Sequence, residues 1–149
     1  MLICNQGVTG SIPVTGTIYS PFHSGRKPVI SKWFLRFGVL FALVGMAMGI
    51  QMGVSEDFKL APVHAHINLV GYVTMFLAGL FYRGRAIGES KLAKIHLGLS
   101  ILGMALLPIG ITGRILDAPW AVPVVGSGSL LTLAAMLAFT VAVFQSGEA

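Results

Sequence analysis

Four apolar runs dominate this chain: Trp33 to Met52, Pro62 to Tyr82, Ile95 to Gly113 and Val122 to Phe144. At about 1.5 Å of rise per helical residue, each is long enough to cross a hydrocarbon core about 30 Å thick. Lipid offers the backbone no water, so a spanning run must satisfy its own N–H and C=O groups, and these runs do so as helices. The expected fold class is all-α, an integral membrane four-helix bundle. The connections are short, which makes sequential helices antiparallel neighbours. Composition agrees: 10% of the 149 residues are charged and 55% are apolar, against about 25% charged in soluble domains. The mean hydropathy is +0.84.

The basic residues orient the bundle. Arg26, Lys27, Lys32 and Arg36 precede or open the first run, and Arg83, Arg85, Lys91 and Lys94 flank the second connection. All eight fall on one side of the membrane, and only Lys59 and Arg114 fall on the other. Cationic loops stay cytoplasmic, so both termini are expected in the cytoplasm of a bacterial-type inner membrane, with a multi-pass chain between them. The net charge of +5 is therefore a topology signal. With no aromatic-interleaved basic surface, no nucleic-acid partner is expected. A single cysteine, Cys4, excludes an intrachain disulfide and a cysteine-based zinc or iron–sulfur site.

Residues 1–30 are rich in Gly, Ser, Thr and Pro without apolar periodicity, and are expected to form a flexible extension to a four-helix domain at 31–149. They lack the basic-then-apolar order of a cleaved leader. His23 falls within them and is read as solvated. Small residues recur every four positions at Gly45, Gly49 and Gly53 and again at Ala134, Ala138 and Ala142. Such stripes allow close backbone approach, within the bundle or between copies of it. Pro108 has no N–H and is expected to kink or loosen the third helix.

His64 and His66 open the second run, in Pro-Val-His-Ala-His-Ile-Asn-Leu-Val-Gly-Tyr. Titratable side chains at membrane depth are costly to insert and mark functional sites. Two positions along a helix advancing about 100° per residue point about 200° apart, so the pair cannot ligate one metal from the same side. One reading leaves both imidazoles hydrated or bonded to carbonyls near the interface. The other makes them axial ligands of haem. Zinc fits less well, since it wants three or four protein ligands.

His96 cannot complete that site within one chain, because the second helix carries it about 25 Å away. It is read as a polar anchor or helix-start hydrogen bonder. An oligomer can supply the missing ligands: in a ring, His64 faces one neighbour and His66 the other. Met52 is read mainly as packing. Arg114 and Lys59 are the basic residues near the pair; Arg114 can pair with a haem propionate or with Asp117. Asn68 and Tyr72 lie one and two turns below the pair, as hydrogen-bond donors to the site or as interhelical links.

The stretch His64 to Tyr82, His-Ala-His-Ile-Asn-Leu-Val-Gly-Tyr-Val-Thr-Met-Phe-Leu-Ala-Gly-Leu-Phe-Tyr, resembles the tenth helix of the haem–copper oxidase catalytic subunit. The likeness is to its C-type and nitric-oxide-reductase branch. Ala93-Lys-Ile-His-Leu-Gly98 resembles the start of the eleventh helix. The resemblance implies that the four runs correspond to the last four helices of a twelve-helix, pseudo-threefold subunit, so that a homotrimer would reproduce its shape. It implies haem b as cofactor, with His64 in the place of the high-spin haem ligand, His66 in that of the low-spin ligand, and Arg114 at a propionate. The separate copper-ligating histidines and the histidine–tyrosine crosslink pair of the family have no counterpart here. Full oxygen reduction and proton pumping are therefore not expected, and copper is the lesser cofactor candidate.

Electron transfer, or binding of nitric oxide or oxygen, follows as the expected role, with a redox protein or quinol as partner. Two other classes stand beside it. One is a non-enzymatic membrane subunit or assembly factor with structural or transiently copper-binding histidines; the other is a small metal or proton transporter.

Overall fold

The computed structural model describes residues 29–146. Cys4, His23, Arg26 and Lys27, and the expected extension apart from Val29 and Ile30, lie outside the described residues. Four helices are long and apolar enough to cross a membrane: α1 (Val29–Ser55), α2 (Ala61–Tyr82), α3 (Lys91–Ile115) and α4 (Ala121–Gln145). They contain the four apolar runs and extend them by one to four residues at each end, except that the second run and α2 both end at Tyr82. The fold is all-α, and among the described residues there is no strand.

Local chemistry sets the helix ends. The Ser90 hydroxyl accepts from the Ala93 N–H at 3.1 Å and caps α3, relieving one of the orphan donors of a helix start. Glu89, in a 3₁₀ turn at Ala86–Glu89, accepts from the Val29 N–H at 2.9 Å and ties the start of α1 to the α2–α3 connection. At the other end of the bundle, α3 stops at Asp117, whose φ of 54° is left-handed. The Ala118 N–H then donates to Gly113 O at 2.9 Å, and the Asp117 N–H to Arg114 O at 3.4 Å. That pair of reversed bonds is a Schellman stop, with aspartate where glycine is commoner.

The helices pair as two hairpins. Most contact is between α1 and α2 and between α3 and α4, and α4 rests almost wholly on α3. Glycine makes both seams. On α1 and α2, a Cβ at Gly38 would sit 3.1 Å from Phe76 N, and one at Gly79 would sit 2.8 Å from Leu35 Cγ. On α3 and α4, a Cβ at Gly128 would meet Leu107 N at 2.6 Å, and one at Gly103 would meet Thr132 Oγ1 at 2.7 Å. The buried small residues of α4 are Ala121, Gly128, Ala135 and Ala142. Their spacing is seven, whereas the sequence stripe Ala134, Ala138 and Ala142 steps by four and only its last member is buried. Two helices wound round each other keep a seven-residue seam in register, which a four-residue step drifts away from.

The hairpins meet at the end holding Tyr82 and His96. Ile30, Phe34, Met75, Ala78, Tyr82, Ala93 and Ala142 form one buried cluster there, reinforced by ring contacts of Phe34, Phe81 and Phe139 with Tyr82. At the opposite end the hairpins part to leave an apolar groove of about 360 Å³ between Met48, Val63, Ile67, Pro108 and Trp120. Helix α3 stays helical through Pro108, and Thr112 donates its hydroxyl to the Pro108 carbonyl at 2.8 Å.

One feature of α2 departs from the plain α-helix expected from the sequence. After an α-helical opening at Ala61–His66, the segment Ile67–Thr74 is a π-helix, and α-helix resumes at Met75–Tyr82. The wider turn uses i→i+5 bonding and is commonest at functional sites. It begins at the residue after His66.

Candidate functional site

His64 and His66 sit in the α-helical first turn and a half of α2, which Pro62 opens without sacrificing a needed N–H. The two imidazoles diverge as their spacing requires. His64 points at α1: its Nδ1 lies 2.9 Å from Gly45 O, and a Cβ at Gly49 would stand 3.1 Å from its Cε1. Gly49 thus makes room for the His64 ring and Gly45 for the Asn68 amide, and this part of the glycine stripe packs within the bundle. Gly53 faces open space. His66 is half-buried, one residue beyond the exposed stripe Ala65, Leu69, Val73 and Leu77. Its Nδ1 lies 2.7 Å from Pro62 O, one turn back on the same helix.

Both contacts fix a tautomer. A carbonyl oxygen only accepts, so the ring nitrogen facing it carries the proton. Each imidazole is therefore Nδ1–H, with its lone pair on Nε2. This is the arrangement of metal-ligating histidines, whose second nitrogen is held by a carbonyl or carboxylate. Among the described residues His66 Nε2 has no hydrogen-bond partner. His64 has the Asn68 amide beside it: Nδ2 donates to His64 O at 2.9 Å and stands 3.3 Å from both ring nitrogens. Equal distances place the amide off both in-plane lone-pair directions, so Asn68 packs on the ring and bonds its carbonyl.

The other expected site residues have the following surroundings. Tyr72 lies within the π-helical segment. Its ring meets Phe76 at 5.8 Å. Arg114 is exposed at the end of α3. It makes no ion pair among the described residues, and Asp117 serves as the helix stop rather than as its partner. Lys59 pairs with Asp57 at 3.8 Å, both exposed. Met52 is buried at the end of α1, as packing. Neither histidine lines the apolar groove between the hairpins. Among the described residues no three His, Cys, Asp or Glu side chains group as a metal site.

Sequence reasoning did not find the partner of His96. The Tyr82 hydroxyl is 3.0 Å from His96 Nδ1, and the imidazole, 1% exposed, stacks on Phe139 with ring centroids 5.1 Å apart. The signal was present: Tyr82 closes one antiparallel helix and His96 opens the next, which puts them at one level. His64 and His96 lie at opposite ends of the bundle, separated by the length of α2.

The fold and these residues describe a four-helix membrane-type protein with a divergent histidine pair at one end. Comparison of the chain with protein-family models, curated proteins and solved structures gave no match.

Proposed function

We propose that this is a multi-pass membrane protein that binds b-type haem through the histidine end of α2, at an interface between copies of the chain. The observation that carries the reading is the pair of Nδ1–H···O=C bonds, which leaves the half-buried His66 with an Nε2 lone pair that has no partner among the described residues. The donor set fits an axial ligand, since haem iron takes one or two protein nitrogens where zinc needs more. When bound, haem supplies a one-electron couple or a diatomic-gas site, according to whether its second axial position is filled. The protein's part is to hold His66 in one tautomer and to seat His64 between Gly45, Gly49 and Asn68. Arg114, exposed and without an ion pair among the described residues, is the cation that would meet a propionate.

The resemblance of His64 to Tyr82 to a haem–copper oxidase helix supports the same reading, and the charge asymmetry of the loops favours cytoplasmic termini with the site in the outer leaflet. A second copy is needed because the groove within one chain contains neither histidine. A homotrimer is the assembly that the resemblance favours, and a quinol or redox protein is the partner class. One observation favours a second reading, a subunit without cofactor: His64 is already engaged by its own chain, with Gly45 O and Asn68 occupying it.

Spectra of the purified protein, oxidised and reduced, with and without carbon monoxide, separate these. Sharp reduced bands unmoved by carbon monoxide indicate two axial ligands, and a carbon monoxide shift indicates an open position. His66→Ala is expected to lose haem while keeping the fold by circular dichroism. A colourless wild-type preparation from haem-replete cells refutes the proposal, and so does full haem retention by His66→Ala.

A further inference from the structure

A small, partly open cavity lies between α2, α3 and α4. It measures about 20 Å³ and is lined by His96, Ser100, Thr74 and Thr132 among apolar neighbours. A cavity needs about 10–15 Å³, and two to four polar partners, to hold a water molecule. The groups here divide by what they have left to offer. Thr74 and Thr132 already donate their hydroxyl protons, to Leu69 O at 2.9 Å and Gly128 O at 2.8 Å, so only their lone pairs remain. Ser100, 8% exposed, and His96 Nε2 have no hydrogen-bond partner among the described residues. Yet no fully enclosed side-chain N or O is left unsatisfied among the described residues, so these two atoms border open space.

We infer that one water molecule occupies this cavity, accepting from His96 Nε2–H and Ser100 Oγ–H and donating to the threonine oxygens. A buried imidazole nitrogen left without a partner costs about 1–3 kcal/mol, which a bridging water removes. The water also sets the tautomer of His96. With Nε2 protonated, Nδ1 carries the lone pair and the Tyr82 hydroxyl donates to it. His96 is then Nε2–H where His64 and His66 are Nδ1–H, and it joins Tyr82 on one side to an exchangeable water on the other. The water links three helices through polar contacts inside an apolar bundle.

The test uses the full chain, labelled with [15N]histidine and held in lipid bilayers, and reads the side-chain nitrogens by solid-state nuclear magnetic resonance. His96, assigned through its own backbone, is expected to be protonated at Nε2 and to receive polarisation from water at short mixing times. Thr132→Leu fills the cavity and is expected to abolish that transfer. A wild-type His96 that is protonated at Nδ1, or that receives nothing from water, overturns the inference, and so does transfer that persists in folded Thr132→Leu. The wild-type measurement decides the matter even where the variant does not fold.

Discussion

Gly45→Ala and Gly53→Ala place the same methyl group on the same helix with opposite consequences. A Cβ at Gly45 would stand 2.5 Å from Asn68 Nδ2 and 2.6 Å from Asn68 Cγ, whereas one at Gly53 meets nothing within 4 Å. Both changes gain the helix propensity of alanine over glycine, about 1 kcal/mol in water, so that term cancels in the comparison. At position 45 the amide must move off the His64 carbonyl, which loses a hydrogen bond worth about 1 kcal/mol. Overpacking of the seam adds about 1–3 kcal/mol, the lower part being apt because an amide can swing. The expected difference between the two variants is about 2–3 kcal/mol, on the order of a hundredfold in the unfolding constant. Reversible unfolding in bicelles, followed by tryptophan fluorescence, measures it. Adding Asn68→Ala to Gly45→Ala should recover most of the loss, since it empties the volume the methyl group needs. Variants at 45 and 53 lying within about 0.5 kcal/mol of each other, the usual scatter of neutral surface changes, would show that Asn68 does not fill the recess.

Gly128→Ala should be more damaging still, by upwards of about 3 kcal/mol, because the methyl group meets backbone at Leu107 that cannot swing aside; thermal unfolding in detergent checks it. Tyr82→Phe keeps the ring packing but strands His96 Nδ1, for an expected loss of about 1–3 kcal/mol, and Tyr82→Phe with His96→Leu should lose less than the sum of the single changes in a double-mutant cycle. Asp117→Gly is expected to raise stability by up to about 1 kcal/mol, since glycine adopts positive φ without strain; a lower midpoint would show that the Asp117 side chain contributes more than the helix stop.

Much of this fold is legible in the sequence because lipid leaves the chain so few options. Twenty-residue apolar runs name the helices, and short connections make them hairpins, so Tyr82 and His96 come to one end while His64 is held at the other. The divergence of His64 and His66 is likewise a matter of helical arithmetic. The direction each ring takes is not, for it depends on which helix offers a recess, and Gly49 provides it only once α1 and α2 are in register. The π-helical segment from Ile67 to Thr74 was hidden for a related reason. No residue in Ile-Asn-Leu-Val-Gly-Tyr-Val-Thr demands i→i+5 bonding, and the choice is made by packing against α1 and α3. Arg114 and Asp117 looked like an ion pair at i,i+3, but the helix stops between them and turns Asp117 to positive φ.

The division into two hairpins bears on how such a chain is made. Because α1 packs chiefly on α2 and α4 on α3, the first pair can complete most of its contacts before the second has left the ribosome. Contacts so local in sequence form quickly, and earlier segments fold first during synthesis. The recess for His64 belongs wholly to the first pair. It can therefore close while the second pair is still in the translocon, so the ring at position 64 is committed to its own chain before a second copy is at hand. The half-buried imidazole at 66 is the one that remains open to whatever arrives afterwards.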